Sequence, residues 1–189
     1  LFGDQVWGVR ALSNLISLIF ACLIYYLIRT LGHKRSVAFF GAVGFALCPL
    51  GILGASVATT DVGLVFFFTL ALCFAYLSFK DQKWQFAFSL ALAFGALFKF
   101  SIFLLCIPYL VFAFFHGKQF FRRACLLSLL GLLGMLPSLI WNINQDFATF
   151  KHVYTQSAGG HHAKDGNLVD FFFGQIAFLG PIFYFFFLE

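Results

Sequence analysis

The segment ATTD, residues 58–61, separates two long apolar runs, and the second of them reads VGLVFFFTLALCFAYLSF at residues 62–79. Neither that run nor residues 37–57 contains a charged side chain. Uncharged runs of this length are typical of helices that cross a membrane. A carboxylate is costly beside hydrocarbon, so Asp61 is a candidate functional residue. An alternative is that Thr60 or Asp61 only caps a helix starting with the 62–79 run, where an acid suits the positive end of the dipole.

The composition of the whole chain excludes a soluble domain. The 189 residues are 62% hydrophobic and 10% charged, with a mean hydropathy of +0.95, whereas soluble domains are about 45–50% apolar and about 25% charged. The net charge is +5, but the basic residues lie in small clusters between apolar runs, so we expect no nucleic-acid partner. The five cysteines form no CxxC pair, and we interpret them as small buried side chains rather than disulfides or zinc ligands.

Seven apolar runs predict the fold class: an all-α, polytopic membrane helical bundle that forms one domain over residues 1–189. The predicted spans are residues 11–28, 36–57, 62–79, 84–98, 101–115, 124–140 and 171–188. Pro49 lies inside the second span, where neighbouring groups can satisfy the carbonyl that a proline frees.

The distribution of lysine and arginine predicts the orientation. Eight of the twelve fall in three alternate loops, residues 29–35, 80–83 and 117–123. Positively charged loops stay in the cytoplasm, so Asp61, Lys99 and the loop at 141–170 are expected to face outward.

The outward loop at 141–170 is expected to contain an amphipathic surface helix, capped by Asn144 and ending at Gly159-Gly160. Its apolar residues are Phe147, Phe150 and Tyr154, and its polar face is formed by Gln145, Thr149, His152 and Gln156.

Of the histidines, His152 is the best metal or acid–base candidate, because a helix would fix the position of its ring. The chain has no HxxxH or HExxH motif, so the alternative is a solvated loop histidine.

Two basic residues near the outer surface are candidates for binding a phosphate. Lys99 lies where the fourth span meets that surface, and Arg10 lies just before the first span. Either could contact a phosphate as a cation, or could simply extend to the lipid headgroups. Arg10, Asp61, Lys99 and the loop helix could therefore converge on one outward-facing pocket.

Taken together, these residues resemble the polyprenyl-phosphate-dependent glycosyltransferases of the GT-C fold (glycosyltransferase family 39), which include protein O-mannosyltransferases and the bacterial aminoarabinose transferase of lipid A. The order and spacing of the matching residues cover nearly the whole chain. They are Gly8-Val9-Arg10 before Leu12-Ser13, Pro49, Thr59-Thr60-Asp61, Trp84, Gly95, Phe98-Lys99-Phe100-Ser101, Pro137, Trp141-Asn142, residues 147–156 and Gly174-Gln175.

The resemblance implies that a sugar moves from a polyprenyl-phosphate carrier to a lipid, glycan or protein acceptor on the outer (periplasmic) face of a bacterial inner membrane. Asp61 would be a catalytic acid lining the cavity, while Arg10 and Lys99 would hold the carrier phosphate. Asn142 and Gln156 would bind substrate, and His152 would correspond to a position that binds a divalent metal in some members.

The same resemblance places the principal catalytic base before residue 1. The only methionine is Met135, so Leu1 is not a translation start. We therefore expect a fragment of a longer protein that is inactive alone.

Two rival functions remain open at this point. A transporter or flippase for a lipid-linked sugar predicts charges within the spans and broken helices in matched halves. A noncatalytic membrane protein predicts that Asp61 and Lys99 can be replaced without effect.

Overall fold

The computed structural model describes residues 6–56, 59–158 and 173–174. These residues are largely helical and contain no β-strand. The predicted class, an all-α membrane-type helical bundle, is confirmed. The α-helices are α1 (Val6–Thr30), α2 (Arg35–Leu47), α3 (Pro49–Ser56), α4 (Thr60–Ser78), α5 (Trp84–Ala96), α6 (Cys106–Phe115), α7 (Lys118–Gly131), α8 (Leu136–Asn144) and α9 (Ala148–Ala158), with 3-10 helices at Phe100–Leu105 and Leu132–Met135.

Within the described residues, three helical stretches are long and apolar enough to cross a membrane. They are Ser13–Thr30, Thr60–Ser78 and Lys118–Asn144. The third consists of α7, a 3-10 helix and α8 in succession. It contains the predicted span 124–140 and extends it by a basic first turn and a polar last turn.

The other predicted spans have less support from helix length. Residues 84–98 and 101–115 correspond to the shorter apolar helices Trp84–Ala96 and Phe100–Phe115. The predicted span 171–188 lies outside the described residues, apart from Phe173 and Gly174 in a helix. The number of spans therefore stays a prediction.

The second predicted span, residues 36–57, is not one continuous helix. Cys48 is extended, with φ −69° and ψ 151°, and α3 begins at Pro49. A proline disfavours the helical conformation of the residue before it and has no N–H for the helix ladder. Nearby groups satisfy the backbone at the break, because the Cys48 N–H donates to the Phe45 carbonyl at 3.2 Å and the Gly51 N–H to the Cys48 Sγ at 3.2 Å.

The core lies where α4, α5, α6 and α7 meet. Phe88, Leu92 and Ile102 are completely buried there. The Tyr109 hydroxyl lies 3.1 Å from the Ser78 hydroxyl, so these two polar groups are paired within the aromatic core. Close packing of this kind holds membrane helices together where lipid supplies no hydrophobic drive.

The described cysteines are all free thiols, consistent with the absence of a disulfide pattern. Cys48 and Cys73 are buried as expected, whereas Cys22 is exposed on α1. The prediction of a buried side chain was wrong for Cys22, because an apolar run in a membrane helix has a lipid-facing side as well as a packed one.

A tight turn separates α8 from α9. Asp146 and Phe147 have positive φ values of 50° and 58°, the left-handed conformation that non-glycine residues adopt mainly in tight turns. The predicted 141–170 loop contains a helix, α9, but Gln145 and Phe147 of its predicted faces precede it, and its predicted end at 159–160 lies outside the described residues. The position of this helix on the membrane surface stays a prediction. Its predicted cap was wrong, because Asn144 is the last residue of α8.

Candidate functional site

The carboxylate of Asp61 lies in the first turn of α4. The helix begins at Thr60, and Thr59 before it is extended, with φ −115° and ψ 158°, and makes no side-chain cap hydrogen bond. The capping hypothesis for Thr60 or Asp61 is therefore wrong in position, since both are inside the helix. The carboxylate still lies where unpaired N–H groups give α4 its positive end, which favours a negative charge.

The ammonium of Lys99 is placed by the turn that ends α5. The Lys99 N–H donates to the Gly95 carbonyl at 3.0 Å, and the residue is then extended, with φ −160° and ψ 133°. The Ile102 N–H donates back to the Lys99 carbonyl at 3.3 Å as the next 3-10 helix begins. This sharp turn directs the chain, and Lys99 with it, toward the start of α4.

The two side chains form an ion pair across 38 residues of sequence. Lys99 Nζ donates to Asp61 Oδ1 at 2.7 Å. The side chains remain 51% and 60% exposed, respectively. An ion pair this accessible contributes only about 1 kcal/mol or less to stability. Its ammonium can therefore be shared with an anionic ligand at little cost to the fold.

A close contact behind the ion pair fixes the two helix ends. The Phe98 ring lies against the Cα of Gly63, where any Cβ would collide with the ring. Phe98 also packs on Phe67, with ring centroids 5.7 Å apart, and Phe67 stacks on Phe94 at 5.9 Å. The residues beside Asp61 and Lys99 are thus held by aromatic packing rather than by the ion pair alone.

The other predicted site residues lie on separate elements. Arg10 is in the second turn of α1 and Gln156 in the last turn of α9, and the structure defines the backbone alone for both. The convergence of Arg10 and the loop helix on the Asp61–Lys99 pair stays a prediction.

Asn142 connects α8 to α9. Its side chain is almost fully buried, with 1% exposed. The Nδ2 group donates to the Ser138 carbonyl at 2.9 Å, and Oδ1 accepts a hydrogen bond from the Thr149 N–H at 3.1 Å. The resemblance assigned substrate binding to Asn142. This cap was not predicted, and its signal is an asparagine seven residues before the second residue of the next helix.

His152 is exposed on α9, and its carbonyl accepts a hydrogen bond from the Thr155 hydroxyl at 2.9 Å. Within residues 6–56, 59–158 and 173–174, no group of three or more His, Cys, Asp or Glu side chains could hold a metal ion. The divalent metal at His152 that the resemblance implies therefore stays a proposal.

The fold and the ion pair together define a class: a multi-helix membrane protein with a charged pair of side chains at one end of its central helices. The family model described as dolichyl-phosphate-mannose-protein mannosyltransferase matches residues 1–141, which include Asp61 and Lys99. The chain belongs to this family, so the protein is a membrane glycosyltransferase of the GT-C type, as the resemblance implied. No curated protein and no solved structure gave a significant match to the chain.

Proposed function

We propose that the protein transfers a sugar from a polyprenyl-phosphate carrier to a lipid, glycan or protein acceptor on the outer face of the membrane. The observation that carries the proposal is the accessible 2.7 Å pair of Lys99 and Asp61 at the ends of two packed helices in a chain of this family. On this proposal the active face is the periplasmic face of a bacterial inner membrane.

Lys99 is the phosphate-binding group in this proposal. When the acceptor hydroxyl attacks the sugar, a C–O bond forms to the acceptor and the bond between the sugar and the carrier phosphate breaks. The electron pair stays on the phosphate oxygen, where negative charge accumulates. An ammonium held close to that oxygen stabilises the transition state more than the ground state.

Asp61 is the second charged group of the proposed site. With no donor bound, its carboxylate holds the Lys99 ammonium in place. When the donor phosphate shares that ammonium, the carboxylate is released to accept a hydrogen bond or the proton from the acceptor hydroxyl. Arg10 and Gln156 are proposed to contact the donor or acceptor, and Asn142 to support this surface from its buried position between α8 and α9. His152 is proposed as a ligand of a divalent metal.

The test is a transfer assay with the full gene product in proteoliposomes and a polyprenyl-phosphate sugar as donor. Replacing Lys99→Gln should lower kcat/KM for the donor by at least about tenfold, since a hydrogen bond to a charged group is worth about 1.5–3 kcal/mol. Asp61→Asn should also reduce transfer, with a smaller effect on donor KM.

The chain offers a matched control. Lys83 and Asp81 form another exposed pair, also with an N–O distance of 2.7 Å, beyond the opposite end of α4. Lys83→Gln should leave transfer unchanged. Equal activity of the Lys99 and Lys83 variants would refute the assignment of Lys99, and sugar translocation without transfer would favour the flippase.

A further inference from the structure

A second charged surface lies at the other end of the bundle from the Asp61–Lys99 pair. Asp61 is in the first turn of α4 and Lys80 follows its last turn, so about 28 Å of helix separates the two ends. At the far end, the α4–α5 loop meets the start of α7. The Phe79 ring stacks on Phe120 with centroids 5.3 Å apart, and Gln85 Nε2 donates to the Phe120 carbonyl at 3.4 Å.

This contact gathers five exposed basic residues on one surface: Lys80, Lys83, Lys118, Arg122 and Arg123. The single acid among them, Asp81, has its pKa lowered, first by the hydrogen bond from the Lys83 side chain and more weakly by the charge of Arg123. Asp81 thus balances part of the charge of Lys83 and Arg123.

Three of these five cations interact with a neighbouring side chain: Lys83 and Arg123 with Asp81, and Lys80 with an aromatic ring. Lys80 Nζ lies over the Tyr76 ring, 4.7 Å from its centroid. Neither Lys118 nor Arg122 joins an ion pair with any described residue. Lys118 and Arg122 are therefore two exposed cations, one helical turn apart, that can bind an anionic ligand.

The positions of Lys118 and Arg122 on α7 connect them to an apolar groove. The spacing i, i+4, i+7, i+11 and i+14 places five residues on one stripe of the helix. They are Lys118, Arg122, Cys125, Leu129 and Leu132. The last three line a groove of about 330 Å³, whose other wall is formed by Phe103, Cys106 and Leu110 before and within α6.

The dimensions of the groove fit one leaflet of a membrane. Ten residues separate Arg122 from Leu132, which is about 15 Å of helix and half of the roughly 30 Å hydrocarbon thickness. Phe114 and Phe115 lie at the end of α6 that precedes Lys118, and their side chains are 65% and 79% exposed. The apolar part of a lipid would contact these rings.

We propose that this surface is a binding site for an anionic phospholipid. The phosphate lies between Lys118 and Arg122, and one acyl chain lies in the groove between α6 and α7. A bare phosphate would leave the groove empty. A nucleic acid or an acidic peptide would place polar groups against an apolar wall that continues into the membrane. A phospholipid satisfies both the charges and the groove.

Native mass spectrometry of the full gene product in detergent tests the headgroup contact. Phosphatidylglycerol should bind more tightly than phosphatidylcholine. The double substitution Lys118→Gln/Arg122→Gln should weaken phosphatidylglycerol binding roughly 25-fold, at about fivefold for each cation near an anionic headgroup. The control Lys34→Gln/Arg35→Gln removes two charges at the start of α2 and should change binding less than about threefold.

Two tryptophan substitutions test the groove. Leu129 and Leu126 are both on α7 and both 60% exposed, but only Leu129 lines the groove. Leu129→Trp should displace the lipid and Leu126→Trp should not. If Leu129→Trp does not fold, as judged by circular dichroism, Leu129→Phe serves in its place.

Each of the following results would overturn the proposal: equal weakening by the two charge pairs, equal binding of the two lipids, equal effects at Leu129 and Leu126, or displacement of the lipid by glycerol phosphate at equal concentration. The last would mean that the cations bind phosphate without the groove. Displacement by the polyprenyl-phosphate donor would also refute the assignment, because the site would then belong to the carrier.

Discussion

Two exposed ion pairs have the same N–O distance of 2.7 Å but form for different reasons. Lys83 and Asp81 are two residues apart, and the Lys83 N–H also donates to Asp81 Oδ1 at 3.1 Å, so the turn itself forms that pair. Lys99 and Asp61 meet at 2.7 Å only because α5 returns alongside α4. A long-range pair that contributes little stability is a stronger indication of a functional site than a local one.

The Gly63–Phe98 contact gives a prediction at the residue scale. Gly63→Ala should destabilise the protein by about 1–3 kcal/mol, because the new methyl group collides with a packed ring. Thermal unfolding in detergent measures the change. The activity of Gly63→Ala should fall as well, since the contact positions both members of the ion pair.

Gly174 provides the control for this substitution, since a Cβ there would meet no atom of the described part of the chain within 4 Å. Gly174→Ala should be neutral or slightly stabilising. Adding Phe98→Ala to Gly63→Ala should give a smaller loss than the sum of the two single changes. If Gly63→Ala behaved like Gly174→Ala, the contact would not be tight in the folded protein.

At the scale of the helix, the attachment of α9 depends on one buried side chain. Asn142 donates to α8 and accepts from the second residue of α9. Since α9 lies beyond a turn with two left-handed residues, this amide is a main link between the two helices.

Asn142→Ala should therefore loosen α9 more than it unfolds the bundle. The loss of its hydrogen bonds leaves buried groups unpaired, at a cost of about 1–3 kcal/mol. Hydrogen exchange should accelerate in residues 148–158 and change little in α4 and α5. Asn144→Ala, at an exposed asparagine one half-turn away, should leave the exchange of α9 unaltered. Uniform acceleration throughout the protein would contradict a local role.

At the scale of the whole molecule, the alternation of charged loops predicts which ends share a side of the membrane. Cysteines introduced at Gln82 and Gln145, both exposed, can be labelled in intact cells after the five native cysteines are replaced. An impermeant maleimide should label the cysteine at 145 and not the one at 82. Labelling of both, or of 82 alone, would reject the predicted orientation.

The sequence was sufficient to predict the helical membrane class, the family and the presence of Asp61 and Lys99 at one end of neighbouring spans. Their contact was not predictable, because apolar patterning does not show how far one helix is rotated against another. Asn142 was assigned through the resemblance, and its cap was not predictable because hydropathy does not show which backbone groups a buried amide contacts. Pro49 ended a helix where the apolar run continued, since backbone geometry overrides hydropathy there.

The length of α5 has a consequence for the surrounding bilayer. Its 13 residues rise about 20 Å, roughly 10 Å less than the thickness of the hydrocarbon. If α5 spans the membrane as predicted, the lipid beside it thins or the end of the helix lies below the plane of the headgroups. At the end of α5 next to Lys99, either adjustment would form a depression in the membrane surface. A lipid-linked sugar entering that depression would approach the ammonium from the side, within the leaflet, and would not have to leave the membrane to be bound.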